Sequence, residues 1–173
     1  MGAYGSGFHH IPWENRGVPR ELAVLLRLTI EREVANLRAM TEEQANRTDG
    51  RPGSWTRKQE LGHLIDSATN NHVRFVLATV DGEFRGQGYA QDKWVEAHDY
   101  AGMEWGGLVE LWYHYNALLA HLVARIPDDR MDNRCVIGWG VVTLRFVIGD
   151  YVLHMQHHLD HLLARDAVTA YPG

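Results

Sequence analysis

The chain has very little cysteine, with Cys135 as the single one among 173 residues. An internal disulfide is therefore impossible, and a reducing compartment is the default expectation. Basic residues are also in deficit, since 17 Lys and Arg face 22 Asp and Glu and give a formal net charge of −5. Nucleic-acid-binding domains normally carry an excess of basic residues, so this balance argues against one.

Long apolar runs are missing as well. No segment approaches the roughly 18 consecutive apolar residues of a membrane span, and the glycine-rich residues 1–10 lack the apolar core of a secretion signal. We therefore expect a cytoplasmic protein that makes no membrane contact. The hydrophobic fraction of 45% and the charged fraction of 23% are typical of a globular chain, and 173 residues fit one domain.

Four segments carry apolar residues at every third or fourth position, which is the pattern of amphipathic helices. The predicted helices cover about residues 19–44, 57–80, 108–126 and 143–165. Thr56 and Gln59 have the spacing of a capping box and mark the start of the second helix. The pattern predicts an all-α fold, a four-helix bundle with long crossover connections. Residues 1–18 are expected to form an irregular N-terminal segment, and residues 19–173 a single bundle domain.

The connections at residues 81–103 and 128–142 show no clear periodicity. The first contains Trp94, with Trp105 beside it, so we expect an ordered loop that packs back onto the bundle. A connection of this length in a small domain is usually functional or disordered. Tyr89, Trp94 and Tyr100 are candidates for the wall of a cavity, although aromatic side chains in loops more often serve packing alone.

Histidine is the residue type in excess, since 11 are present and four lie between His154 and His161. They form two pairs with i,i+4 spacing, His154 with His158 and His157 with His161. Side chains at this spacing share a helix face and can bind one metal ion together. His154 and His158 lie nearer the apolar stripe than His157, which leaves them as ligands or as core histidines. His63, beside the apolar stripe of the second helix, is the candidate third ligand, and three imidazoles leave coordination positions open for water or substrate.

Further candidates follow His63 along the second helix. Asp66 lies one turn later and could orient a ligand or exchange a proton, or it could be a solvated carboxylate. Asn70 and Arg74 continue the same face and could line a binding pocket, where arginine suits bidentate contact with a carboxylate. A surface or ion-pair role is the alternative for both. Asp160 is expected at the surface, because it points about 100° away from its neighbour His161 on a helix.

Two segments carry a resemblance to a known family. Residues 62–67 (GHLIDS) and residues 157–162 (HHLDHL), together with the helix order from Pro19 to Arg165, resemble the DinB/YfiT-like superfamily. The resemblance implies a four-helix bundle that binds metal through His63, His157 and His161, with His154 as a neighbour only. It also implies a homodimer. Imidazole ligands suit a divalent transition metal, with zinc or nickel expected first.

The resemblance also implies an activity on a small molecule. Characterised members of the superfamily include transferases that use bacillithiol or mycothiol, so we expect a metal-dependent transferase that joins such a thiol to an electrophile. A thiol bound to a metal is deprotonated, so the protein itself needs no nucleophile. Cys135, in an apolar connection, is then expected to be a packed thiol. A metal-dependent hydrolase that uses metal-bound water is the alternative, and a non-catalytic metal-binding dimer is the third possibility.

Overall fold

The computed structural model describes residues 18–48, 50, 53–138, 140–166 and 171. Most of the predicted N-terminal segment lies outside these residues. Within them the elements in chain order are α1 (Pro19–Ala39), α2 (Glu42–Ala45), α3 (Arg57–Asp81), β1 (Glu83–Arg85), α4 (Gln91–His98), α5 (Trp105–Val123), β2 (Arg134–Ile137), β3 (Gly140–Thr143) and α6 (Leu144–Leu162). None of the helices described is long and apolar enough to span a membrane.

The four long helices α1, α3, α5 and α6 form the bundle. Around it, α1 packs against α5, α5 against α3, α3 against α6, and α6 against α1. The successive long helices α1 and α3 are therefore diagonal to each other, and the chain crosses over the bundle to connect them. This arrangement confirms the predicted all-α four-helix bundle with crossover connections.

Capping residues set the helix starts. Gln59 donates its backbone N–H to the Thr56 hydroxyl and accepts the Thr56 backbone N–H on its side chain, so the predicted capping box starts α3. A second capping box joins Thr41 to Gln44 and starts α2. Because of this second cap, the first predicted helix is two helices, and α1 ends at Ala39 rather than continuing to Gln44.

Both long connections contain regular structure that the sequence pattern did not predict. Strand β1 pairs in parallel with β2, and β2 pairs antiparallel with β3. Each strand has only three or four residues, and such short segments show no usable alternation. The small sheet links the end of α3 to the start of α6. Helix α4 and a 3-10 turn at Tyr100–Gly102 pack the first connection against α3, so the prediction of an ordered connection agrees with the structure.

The bundle core consists of large apolar side chains that are almost fully buried, among them Trp112, Phe75 and Tyr151. The Phe75 and Tyr151 rings pack edge to face, with their centroids 5.8 Å apart. The Tyr151 hydroxyl donates a hydrogen bond to the buried Asn116 amide oxygen, which satisfies both polar groups inside the core. This core holds α3 and α6 side by side, and the candidate ligand histidines lie on these two helices.

Candidate metal centre

Three histidines from two helices meet in the bundle: His63 on α3, and His154 and His158 on α6. One ring nitrogen from each lies within 4.8 Å of the others, and the Nε2 atoms of His63 and His154 are 3.2 Å apart. The ring centroid of His158 lies 4.6 Å from that of His63 and 4.3 Å from that of His154. We call these three residues the histidine trio.

In the structure, His63 meets a different pair of histidines from the one that the resemblance implies. His157 and His161 contact each other, with ring centroids 4.2 Å apart, but they do not belong to the trio. His157 lies three residues after His154, and His161 lies three residues after His158. This spacing rotates each side chain by about 60° around the helix axis relative to the trio member before it. The structure therefore brings His63 together with the pair nearer the apolar stripe, not with the pair implied by the family resemblance.

The trio has the character of a metal-ligand set. Burial lowers the pKa of His63 to about 3 and that of His154 to about 2, and repulsion by His158 adds to both shifts. Both imidazoles are thus neutral near pH 7 and keep a lone pair for coordination. Two nitrogens bound to one tetrahedral zinc at its usual bond length lie about 3.3 Å apart, and the His63–His154 separation matches this value. Neutral imidazoles suit Zn²⁺ or Ni²⁺.

Two side chains that the sequence analysis did not select contact the trio. The Glu60 carboxylate oxygen Oε1 lies 2.5 Å from His158 Nδ1, and the two side chains are only 13% and 16% exposed. The Trp55 ring centroid lies 5.0 Å from that of His63. Glu60 precedes His63 by one helical turn, and this spacing was the available signal for it. The through-space contact with His158 was not visible in the sequence.

Asp66 is a buried carboxylate rather than a solvated one. Its Oδ1 accepts a hydrogen bond from the Tyr100 hydroxyl at 2.6 Å and lies 3.3 Å from His98 Nδ1. Its Oδ2 is buried and has no hydrogen-bond partner among the described residues. Burial raises the pKa of Asp66, and the Tyr100 hydrogen bond and the nearby His98 oppose this rise. His98 had no partner in the sequence analysis because this contact joins α4 to α3.

The side chains of Asn70 and Arg74 are held by their own helix. Asn70 donates to the Asp66 backbone carbonyl at 2.9 Å, and Arg74 donates to the Asn71 side-chain oxygen at 3.2 Å. Burial lowers the pKa of Arg74. These hydrogen bonds place neither side chain on the trio, so the pocket-lining role of Asn70 and Arg74 stays a prediction.

Aromatic rings lie beside two members of the trio, His63 and His154. The Tyr89 ring stacks against His63 with centroids 6.4 Å apart, and Trp94 packs against Tyr89 at 5.2 Å. The Tyr171 ring lies 5.7 Å from that of His154, and its hydroxyl donates to Asp150 at 3.1 Å. Tyr89 and Tyr171 thus place aromatic ring surface beside His63 and His154.

The comparisons with known proteins agree with this fold. The DinB superfamily model matches residues 25–162. "Putative metal-dependent hydrolase YfiT" of Bacillus subtilis (strain 168) is 30% identical over 134 residues, which cover 71% of this chain and 70% of that protein. In this chain, the three ring nitrogens of the histidine trio are close enough together to hold a metal ion.

Two solved structures share the fold. YfiT from Bacillus subtilis, described as "a probable metal-dependent hydrolase with an unusual four-helix bundle topology", has a TM-score of 0.76 at 22% identity and covers 90% of both chains. The mycothiol-dependent maleylpyruvate isomerase has a TM-score of 0.67 at 15% identity and covers 92% of this chain and 65% of its own. Because the family match extends from α1 to the end of α6, this chain belongs to the DinB superfamily.

Proposed function

We propose that this protein is a metal-dependent transferase that joins a low-molecular-weight thiol to an electrophilic small molecule. The histidine trio is the observation that carries the proposal, because His63, His154 and His158 bring three ring-nitrogen donors together. Three protein ligands on a tetrahedral ion leave one position for an exogenous ligand. A divalent metal bound there would deprotonate a thiol and keep it nucleophilic. The shared fold with a mycothiol-dependent enzyme supports a thiol as cosubstrate.

The residues of the chain support an external nucleophile. Cys135 is the only cysteine of the sequence, and it is fully buried in β2. Burial raises its pKa to about 11, so it supplies no thiolate near neutral pH. The rings of Trp55 and Tyr89 lie beside His63 and offer apolar contact to an electrophile.

Hydrolysis is the second candidate, and Asp66 is the observation that favours it. Its unpartnered buried oxygen Oδ2 lies on the residue one helical turn after His63, and its raised pKa suits a group that accepts a proton from water. Tyr100 orients the carboxyl group through its hydrogen bond to Oδ1. The name of the YfiT relative supports the same reaction class.

The first experiment measures metal content by elemental analysis after loading with Zn²⁺ or Ni²⁺. We expect one metal ion per chain in the wild-type protein and its loss in His63→Ala, His154→Ala and His158→Ala. His157→Ala and His161→Ala are matched controls, since they remove imidazoles from the same helix, and we expect them to retain the metal. Loss of the metal in His157→Ala and His161→Ala, with retention in His154→Ala and His158→Ala, would instead support the ligand set implied by the resemblance.

The second experiment tests the reaction. The metal-loaded protein is incubated with a chlorobimane, with and without bacillithiol. Thiol-dependent formation of the conjugate, lost in His63→Ala, is the expected result. Thiol-independent turnover of a hydrolysable substrate, lost in Asp66→Asn, would favour the hydrolase. Bound metal with neither activity would favour a non-catalytic metal-binding bundle.

The homodimer and the cytoplasmic location stay predictions. Support for a dimer comes from exposed apolar side chains on the packed helices α3 and α5, such as Val73, Leu77, Leu111 and Leu118. Sedimentation equilibrium checks it, with an expected mass twice the 19.7 kDa of one chain. A mass of one chain at micromolar concentration would contradict the prediction.

A further inference from the structure

We propose that Glu60 is a positioning residue of the metal centre, which holds His158 in the orientation needed for coordination. The proposal rests on the proposed function, because it takes the trio as the metal site. It concerns the group behind one ligand rather than the ligands themselves. Carboxylates that receive the second ring N–H of a ligating histidine orient the ring and raise its basicity.

The position of Glu60 is set by the local structure of α3. The capping box of Thr56 and Gln59 starts the helix, and the Glu60 backbone N–H donates to the Thr56 carbonyl at 2.9 Å. Glu60 lies one turn before His63, so the two side chains share a helix face. Helix α3 therefore supplies the ligand His63 and also the carboxylate that holds His158 of the neighbouring helix α6. Glu60 and His158 are 98 residues apart in the chain.

The contact determines which nitrogen of His158 is available. A carboxylate only accepts hydrogen bonds, so the proton of the imidazole lies on Nδ1, 2.5 Å from Glu60 Oε1. The lone pair then lies on Nε2, the same atom that His63 and His154 turn towards each other. The Nδ1 atoms of His63 and His154 have no hydrogen-bond partner among the described residues. Within the trio, a carboxylate thus holds His158 and neither of the other two rings.

Burial makes the interaction effective. Both side chains are largely shielded from solvent, where a hydrogen bond is electrostatically stronger than in water. The Oε1 atom of Glu60 does not belong to the cluster of ligand atoms, which assigns it to holding the ring rather than to coordination. Without it, the His158 ring would lose its fixed tautomer and part of its orientation.

The test measures zinc affinity by competition with a chromogenic chelator. Relative to the wild type, Glu60→Ala is expected to weaken Zn²⁺ binding about 10–100-fold. Glu60→Gln keeps an acceptor oxygen at the same distance from His158 Nδ1, and it is expected to lose less zinc affinity than Glu60→Ala. Glu60→Asp keeps the charge but withdraws the carboxylate, and it is expected to behave like Glu60→Ala. Glu43→Ala is the matched control, because Glu43 is 80% exposed and paired with Arg47 on the surface.

A second readout needs no metal. Long-range ¹H–¹⁵N correlation spectra of the zinc-free protein report the tautomer of His158, and we expect Nδ1–H in the wild type and in Glu60→Gln. In Glu60→Ala or Glu60→Asp, we expect a mixture or Nε2–H. Circular dichroism verifies that each variant is folded, and Glu60→Asp decides the question if Glu60→Ala does not fold.

The outcomes separate this proposal from the proposed function. Wild-type zinc affinity in both Glu60→Ala and Glu60→Asp, or an unchanged tautomer, would overturn the role of Glu60 while leaving the metal site intact. A wild-type protein that binds no zinc would instead overturn the proposed function, and the positioning role towards a metal would fail with it. The tautomer measurement would then still show whether Glu60 holds the ring.

Discussion

At the scale of single residues, the choice between two histidine pairs decides the site. His154/His158 and His157/His161 have the same spacing, and each could share a metal ion with His63. The core side chains of α6, such as Tyr151, fix how the helix is rotated in the bundle. That rotation turns His154 and His158 towards α3. Their position near the apolar stripe left them as ligands or core histidines, and the family resemblance selected the other pair.

Cys135 gives a prediction at the same scale. Only the thiolate reacts with disulfide reagents, and burial raises the pKa of this thiol to about 11. We therefore expect almost no labelling of the native protein by Ellman's reagent at pH 8 and one thiol per chain in denaturant. Rapid labelling of the folded protein would contradict the interpretation of Cys135 as a packed thiol.

At the scale of elements, the packing of the first connection against α3 depends on one glycine. A Cβ added to Gly62 would lie 2.1 Å from the Tyr100 ring. The ring can approach the helix this closely only because the side chain is absent. The Tyr100 hydroxyl donates a hydrogen bond to Asp66, so the close approach of the ring also sets the environment of the carboxyl group one helical turn after His63.

The matched substitutions Gly62→Ala and Gly149→Ala test this packing. Gly62→Ala is expected to displace Tyr100 and destabilise the protein by about 1–3 kcal/mol. Gly149 also lies inside a long helix, but a Cβ there meets no atom within 4 Å. Gly149→Ala is therefore expected to be neutral or to stabilise by up to about 1 kcal/mol. Urea unfolding measures both, and equal effects of the two substitutions would refute the steric argument.

At the scale of the whole molecule, a buried ion cluster joins the first and last helices. Arg165, just after α6, makes a bidentate contact with Glu33 of α1 at 2.9 and 3.0 Å and lies 2.6 Å from Asp160. Glu33 and Asp160 are fully or almost fully buried. This corrects the expectation that Asp160 is a surface residue. The direction of Asp160 relative to His161 was right for a helix, but the surface it faces is covered by α1 and Arg165.

Glu33 predicts a dependence of stability on pH. Burial raises its pKa, but hydrogen bonds from Arg165, Arg32 and Asn36 outweigh this effect, and the net pKa lies below the ordinary value of 4.5. The carboxylate therefore contributes stability above pH 4.5, and this contribution is lost as the pH falls through the lower folded-state pKa. Glu33→Gln is expected to reduce the free energy of unfolding by about 1–3 kcal/mol at pH 7.

Urea unfolding at pH 7 and pH 3 checks this prediction. The difference between the wild type and Glu33→Gln is expected to shrink at pH 3, because Glu33 of the unfolded chain binds a proton below its ordinary pKa of 4.5 and this favours unfolding of the wild type. Glu31→Gln is the control, since Glu31 forms an exposed pair with Arg27 and is expected to change stability little. A difference for Glu33→Gln that is the same at both pH values would contradict the argument.

The sequence by itself determined the four long helices and the chemistry available to the site. Helix periodicity and the capping box of Thr56 and Gln59 are local signals, so they are readable without the fold. His63 and a late pair of histidines were identifiable for the same reason. The short strands β1 to β3 were not, because their pairing partners lie far apart in the chain and each strand is too short to carry a pattern.

Only the tertiary structure decided which groups meet. Glu60 contacts His158, and Tyr100 contacts Asp66, across elements that are distant in sequence. The burial of Asp160 likewise depends on elements that pack over it. Such contacts depend on how each helix is rotated and placed, and this is determined by the packing of all four helices together. For this reason, the two histidines of α6 that lie beside His63 became identifiable only once α6 was seen against α3.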